Sequence, residues 1–133
     1  MDSKYLKDLG LKKEDYYFPF DEDDPRQDKW KAERETYGFD SRETWDLDGL
    51  SVRWLYCHLM MYKEKASEIV NLEYHKFEFQ GKEYTQLEAI DFIIDSLKMY
   101  ILTDLWSPDA EIAINKAKDA FALYGIILPS MWW

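Results

Sequence analysis

Cysteine is nearly absent from this chain of 133 residues, with Cys57 alone. One thiol cannot close an intramolecular disulfide, and there is no Cys-x-x-Cys pair or Cys/His cluster. A reducing compartment is implied. Long apolar runs are also missing. None approaches the roughly 18 residues that a membrane span needs, and the opening MDSKYLKDLG has no apolar signal region. A cytoplasmic location is expected, in the host cytoplasm if the chain is phage-encoded. Positive charge is in deficit, with 17 Lys and Arg against 27 Asp and Glu and a net charge of −10. Direct binding to nucleic acid is excluded on that ground, because phosphate contact requires a basic footprint. An anionic membrane surface is excluded likewise. Gly-rich phosphate loops, Gly-x-Ser-x-Gly elbows and zinc-finger spacings do not occur. No catalytic motif and no cofactor or metal set is therefore assigned.

What is present is apolar and aromatic. Hydrophobic residues make up 47% of the chain and aromatic residues 17%, which argues against disorder over most of it. A chain of this size buries roughly two-thirds of its unfolded surface. With no repeat, low-complexity tract or linker, one domain is expected over 1–133. Its parts are an N-terminal docking segment at 1–24, a helical core at 25–124 and an apolar tail at 125–133. The expected fold is mainly α (α+β in a strict count), with helices near 25–37, 46–69, 86–103 and 108–124.

The organising stretch is Gly38–Lys63, GFDSRETWDLDGLSVRWLYCHLMMYK. Asp40 followed by Glu43 has the spacing of a capping box, and Asp46 or Asp48 can cap a fresh helix. Gly49 leaves open whether one helix bends here or two meet. Leu50, Trp54, Cys57 and Met61 recur at helical spacing, as do Leu55, Leu59, Tyr62, Ala66 and Ile69. Together they predict a wide apolar stripe on a central helix. This stretch and the later HKFEFQGKEYTQLEAIDFIIDSLKMYI resemble small uncharacterised proteins of phages, prophages and gut Firmicutes. In those proteins a Gly-Phe, a Thr-Trp-x-Leu and a following Trp-Leu recur ahead of a helix. The resemblance implies a mobile genetic element as context and carries no assigned activity.

Elsewhere, Ser3 predicts a short helix through Leu9 that Gly10 stops. Tyr16, Tyr17, Phe18 and Phe20 cluster around Pro19 as a docking knot. Asp24 and Pro25 read as the cap and first residue of a surface helix pinned by Trp30, with Lys29, Lys31, Glu33, Arg34 and Glu35 in water. Phe77 and Phe79 alternate with polar residues, and Gln80-Gly81 predicts the turn of a small hairpin at about 75–84. Thr85–Glu88 is a capping box, followed by the stripe Leu87, Ile90, Ile94, Leu97 and Ile101. Ser107-Pro108 restarts a helix whose buried face would be Ala110, Ile114, Ala117, Phe121 and Tyr124, ending at Gly125. The tail Ile126–Trp133 is apolar and needs burial, in its own core or against another chain.

Cys57 reads as an inert helical thiol and His58 as a hydrogen-bonded, partly buried core residue, while His75 has a packing or edge role. Glu43 and Asp46 are three apart on one helical face, a spacing common among surface charges. The functional expectation is a non-catalytic acidic protein that binds a basic partner, as a phage or prophage accessory that inhibits a host nucleic-acid-binding enzyme by mimicking DNA. Its binding residues would be Asp21, Glu22, Asp23, Asp24, Glu43, Asp46, Asp48, Trp132 and Trp133. Two alternatives stand beside it: self-association through the C-terminal tail into a homo-oligomer, and a small metal-dependent enzyme using Asp46, Asp48, His58 or His75.

Overall fold

The computed structural model describes residues 3–16 and 22–133, so Tyr17, Phe18, Phe20 and Asp21 lie outside the described residues. The fold is mainly helical, with four main helices and one antiparallel hairpin. By contact the chain divides into two units, Met1–Ser51 and Val52–Trp133.

In the first unit, Ser3 Oγ accepts from Tyr5 N and starts α1 (Lys4–Asp8). Gly10 then takes a φ of +84°, which only glycine adopts at no steric cost. Asp24 does not open the next helix directly. It accepts from Arg26 N in a turn, and α2 (Gln27–Tyr37) begins one residue later. Gly38 ends α2 in the left-handed conformation. Asp40 accepts from Arg42 N and starts a short 3₁₀ turn, Ser41–Thr44. The reciprocal bond expected from Glu43 to Asp40 N does not form a capping box here, and the neighbouring Ser41 N donates instead to Glu33 of α2. Leu50 N donates to Asp46 O, and α3 (Leu47–Ala66) runs unbroken through Gly49.

In the second unit, α3 buries Val52, Leu55, Leu59 and Ala66, spaced for one helical face, with Tyr56 and Cys57 beside them. The predicted stripe was too wide: Trp54 and Met61 are exposed, and Ile69 is an exposed residue beyond the helix end. β1 (Lys76–Phe79) pairs with β2 (Lys82–Thr85), placing Phe77 opposite Tyr84. Gln80 and Gly81 both have positive φ, the pattern of a tight two-residue hairpin turn. Phe79 is buried while Phe77 is only half-buried, so a single phenylalanine anchors the hairpin, edge-on to Phe92 at 6.4 Å.

α4 (Gln86–Leu102) opens with the predicted box: Glu88 N donates to Thr85 Oγ1, and Thr85 N donates to Glu88 Oε1. Its buried face is Ala89, Ile90, Ile93, Ile94 and Leu97. α5 (Ala110–Ile127) packs on it through Ala113, Ala117, Ala120, Leu123 and Ile127. The predicted face was rotated by about one position, with Ile114 and Tyr124 half-buried and Phe121 exposed. Small side chains occupy the line of closest approach and bulky ones flank it. Full burial of Ile90, Ile93, Leu97, Leu123 and Ile127 contributes about 1.5–3 kcal/mol each. Ser107 and Pro108 precede the helix as a turn, and the helix passes Gly125 to Ile127.

Candidate protein-binding surface

The first unit is built around Trp30, which is 1% exposed on an otherwise solvated α2. Two guanidinium groups lie over its ring, that of Arg42 at 4.4 Å and that of Arg26 at 4.9 Å. Trp45 meets it edge-on at 6.0 Å. Each arginine is in turn held by a carboxylate. Asp24 takes both the Nε and the Nη2 of Arg26, at 3.0 and 2.9 Å. Asp40 takes the Nε and Nη2 of Arg42, at 3.0 and 2.8 Å, and Nη1 of Arg34 at 2.7 Å. Such planar, two-pronged pairing is the strong form of an Arg–carboxylate contact. The result is a continuous Asp–Arg–Trp–Arg–Asp arrangement.

Protonation follows the geometry. The Arg26 side chain, helped by its backbone N–H, holds the Asp24 carboxyl down at about 2. Arg42 first and Arg34 second pull the buried Asp40 well below the usual carboxylate range, against the opposing effect of burial. Both groups are therefore fixed anions consumed inside the unit.

The remaining acids are presented outward. Glu22 and Asp23 are exposed and Glu43 is half-exposed, and among the described residues no ion pair engages any of the three. Asp48 is exposed and Asp46 half-buried, and both make further interactions within the protein. Arg26 links the two acidic segments: it holds Asp24 and lies 5.6 Å from the Trp45 ring, which is itself 50% exposed. Tyr37 and Phe39 flank Gly38 as a second exposed aromatic pair, 6.5 Å apart. Carboxylates and open aromatic rings thus share this unit. Sequence reasoning placed Glu33 in water, where it is half-buried and accepts from Ser41 N, and treated Asp40 only as a cap, while Arg34 is exposed as expected and also paired with Asp40. The missed signal was the spacing of Arg26 to Trp30, one helical turn, and the Asp40-x-Arg42 pair.

The second unit holds Trp132 and Trp133, both more than half exposed. Their backbone is nevertheless docked on the same chain, since Tyr62 donates its hydroxyl proton to Trp132 O at 3.1 Å and Gln86 Nε2 donates to Ser130 O. His58 is hydrogen-bonded, as expected, but exposed instead of lying in the core. Its ring stacks on Trp54 at 4.0 Å and its Nδ1 lies 2.6 Å from Trp54 O. His75 sits just before β1, exposed and edge-on to Tyr74. Cys57 is buried. Among the described residues no group of three or more His, Cys, Asp or Glu side chains could hold a metal ion. None of the described helices is long and apolar enough to cross a membrane. The chain matches no family model, no curated protein and no solved structure.

Proposed function

We propose that this protein is a non-catalytic binding module whose acidic first unit engages a protein with a basic surface. The observation that carries the reading is the pairing of exposed Trp45, Tyr37 and Phe39 with the outward carboxylates of Glu22, Asp23 and Glu43. Aromatic anchors supply contact area at low entropic cost, and surrounding charge steers the encounter and selects the partner. Residues 1–51 contain 15 Asp and Glu against 9 Lys and Arg, a net −6, so the bias is concentrated in this unit. The proposed context is a phage or prophage accessory, and the proposed target a host enzyme that normally holds nucleic acid.

The test is capture of partners from a bacterial lysate while ionic strength is raised stepwise. A specific partner released by salt, displaced by DNA and lost with Trp45→Ala would support the reading. Absence of any partner at low salt would remove it.

A second reading, self-association through the tail, draws on the exposed side chains of Ile126, Leu128, Trp132 and Trp133. Light scattering on the full-length protein and on a form lacking Trp132 and Trp133 decides it. A monomer in both cases ends that reading.

A further inference from the structure

Tryptophan is highly buried on average, yet Trp106 is 97% exposed. It stands on the turn between α4 and α5, at one end of the helical hairpin that those two helices form. Among the described residues its ring meets no other ring and no cation. The backbone beneath it is held on both sides. Trp106 N donates to Asp104 Oδ1 at 3.0 Å, and Ser107 donates to Asp104 O through N at 2.9 Å and through Oγ at 2.6 Å. Thr103 N donates to Met99 O at 3.0 Å where α4 ends, and Ala110 N donates to Ser107 O at 3.2 Å where α5 begins. The indole is presented from a fixed base, so binding through it loses little backbone freedom. Met99 and Leu102, three apart, share one outward face of the last turn of α4. Leu105 is exposed in the turn and Ile112 in the first turn of α5. Single exposed hydrophobic residues need no explanation, but these gather with Trp106 at one end of the hairpin as an apolar face.

The edge of that face is acidic. From Met99 to Asn115 the chain has Asp104, Asp109 and Glu111 and no Lys or Arg. All three acids are exposed, and among the described residues none is in an ion pair. This edge selects among occupants. A nucleic acid or an anionic lipid surface brings more negative charge and is repelled. A second copy seated symmetrically would set the same acids against each other, since such a contact uses one patch twice. A protein face that is apolar in the middle and edged with lysine or arginine complements both parts. Its centre covers the indole and its edge meets the three carboxylates.

We propose that the α4–α5 turn is a docking surface in its own right, on which Trp106 anchors a protein face that is apolar at its centre and edged with lysine or arginine. It lies in the second unit and can stand or fail independently of the acidic surface of the first. The probe is an amphipathic helical peptide of leucine and lysine, titrated at low salt into the intact protein, with a peptide of leucine and glutamate as its counterpart. NMR follows the Trp106 indole N–H and the backbone amides of Leu105 and Ser107. The expected result is a saturable shift of all three with the lysine peptide and none with the glutamate peptide. Read at the same two amides, affinity should fall about tenfold or more in Trp106→Ala, as for an anchor residue. It should fall several-fold when Asp104→Asn, Asp109→Asn and Glu111→Gln are combined, which keeps the side-chain oxygen that accepts from Trp106 N. Both variants alter exposed side chains alone, so the fold is retained. No shift with the lysine peptide overturns the proposal, as does an equal shift with the glutamate peptide or an affinity unchanged in either variant. A Trp106 shift on raising the protein concentration alone, or on adding phosphatidylcholine vesicles, would assign the face to a second copy or to a membrane and overturn it as well.

Discussion

The two units hold together by different means. In the first, the described buried hydrophobic residues are Leu6, Tyr16 and Trp30, and the contacts around Trp30 are charged: Asp24 with Arg26, and Asp40 with Arg34 and Arg42. In the second, Ile90, Ile93, Leu97, Leu123 and Ile127 are fully buried, and ion pairs such as Lys63–Asp91 lie at the surface. Cohesion by paired charge depends on pH and on every member being present. Cohesion by apolar packing depends on volume and shape and hardly on pH. The comparison teaches that the unit carrying more of the protein's negative charge also uses charge as its internal scaffold, so surface and interior respond to the same solution conditions there.

The contrast is sharpest at Asp40. Asp40→Ala leaves two guanidinium groups without their carboxylate and is expected to destabilise the first unit by about 4 kcal/mol. Amide hydrogen exchange across α2 would read the loss, with α4 and α5 keeping their protection. Leu97→Ala is the converse experiment. It opens a cavity in the second unit and should cost about 3 kcal/mol, read in the exchange of α4 and α5.

Acid should separate the units next. The carboxyls of Asp24 and Asp40 titrate below their ordinary value of 3.8 in the folded protein. Their contribution is therefore complete above that value and is lost as pH falls from about 4, through about 2 for Asp24 and lower still for Asp40. Protection of α2 should fade in that window while the interior of α4 and α5 persists. The first turn of α4 should fray alongside it, because Thr85 lowers the pKa of Glu88 by hydrogen bonding. The smallest effect is at that cap: Thr85→Ala should cost about 1 kcal/mol in urea unfolding.

The helices, the hairpin and the Thr85 cap were legible because each rests on local rules. Period, a two-residue turn with φ above zero, and a reciprocal side-chain bond are all written within a few residues. Which face of a helix turns inward was less legible. On α5 the bulky Phe121 drew the reading toward the wrong line, since sequence shows size but not how closely a neighbouring helix approaches through Ala113 and Ala120. On α3, Trp54 counted as core by its chemistry, yet it stacks with His58 in solvent. Within the acidic run the sequence sets Asp24 apart only as a helix cap, and it takes geometry to show that residue tied to the Arg26 side chain while Glu22 and Asp23 stay exposed. The docking of the tail was invisible for a different reason: Gln86 meets Tyr62, 24 positions away, and Ser130, 44 positions away. No local pattern brings such distant positions together.

The lone thiol of Cys57, shielded inside α3, makes the molecule its own clock. Alkylating reagents reach that sulfur only when the helix transiently exposes it, so the labelling rate measures how often the second unit breathes. Since no other cysteine competes, a single mass increment would time that event in the unmodified wild-type chain.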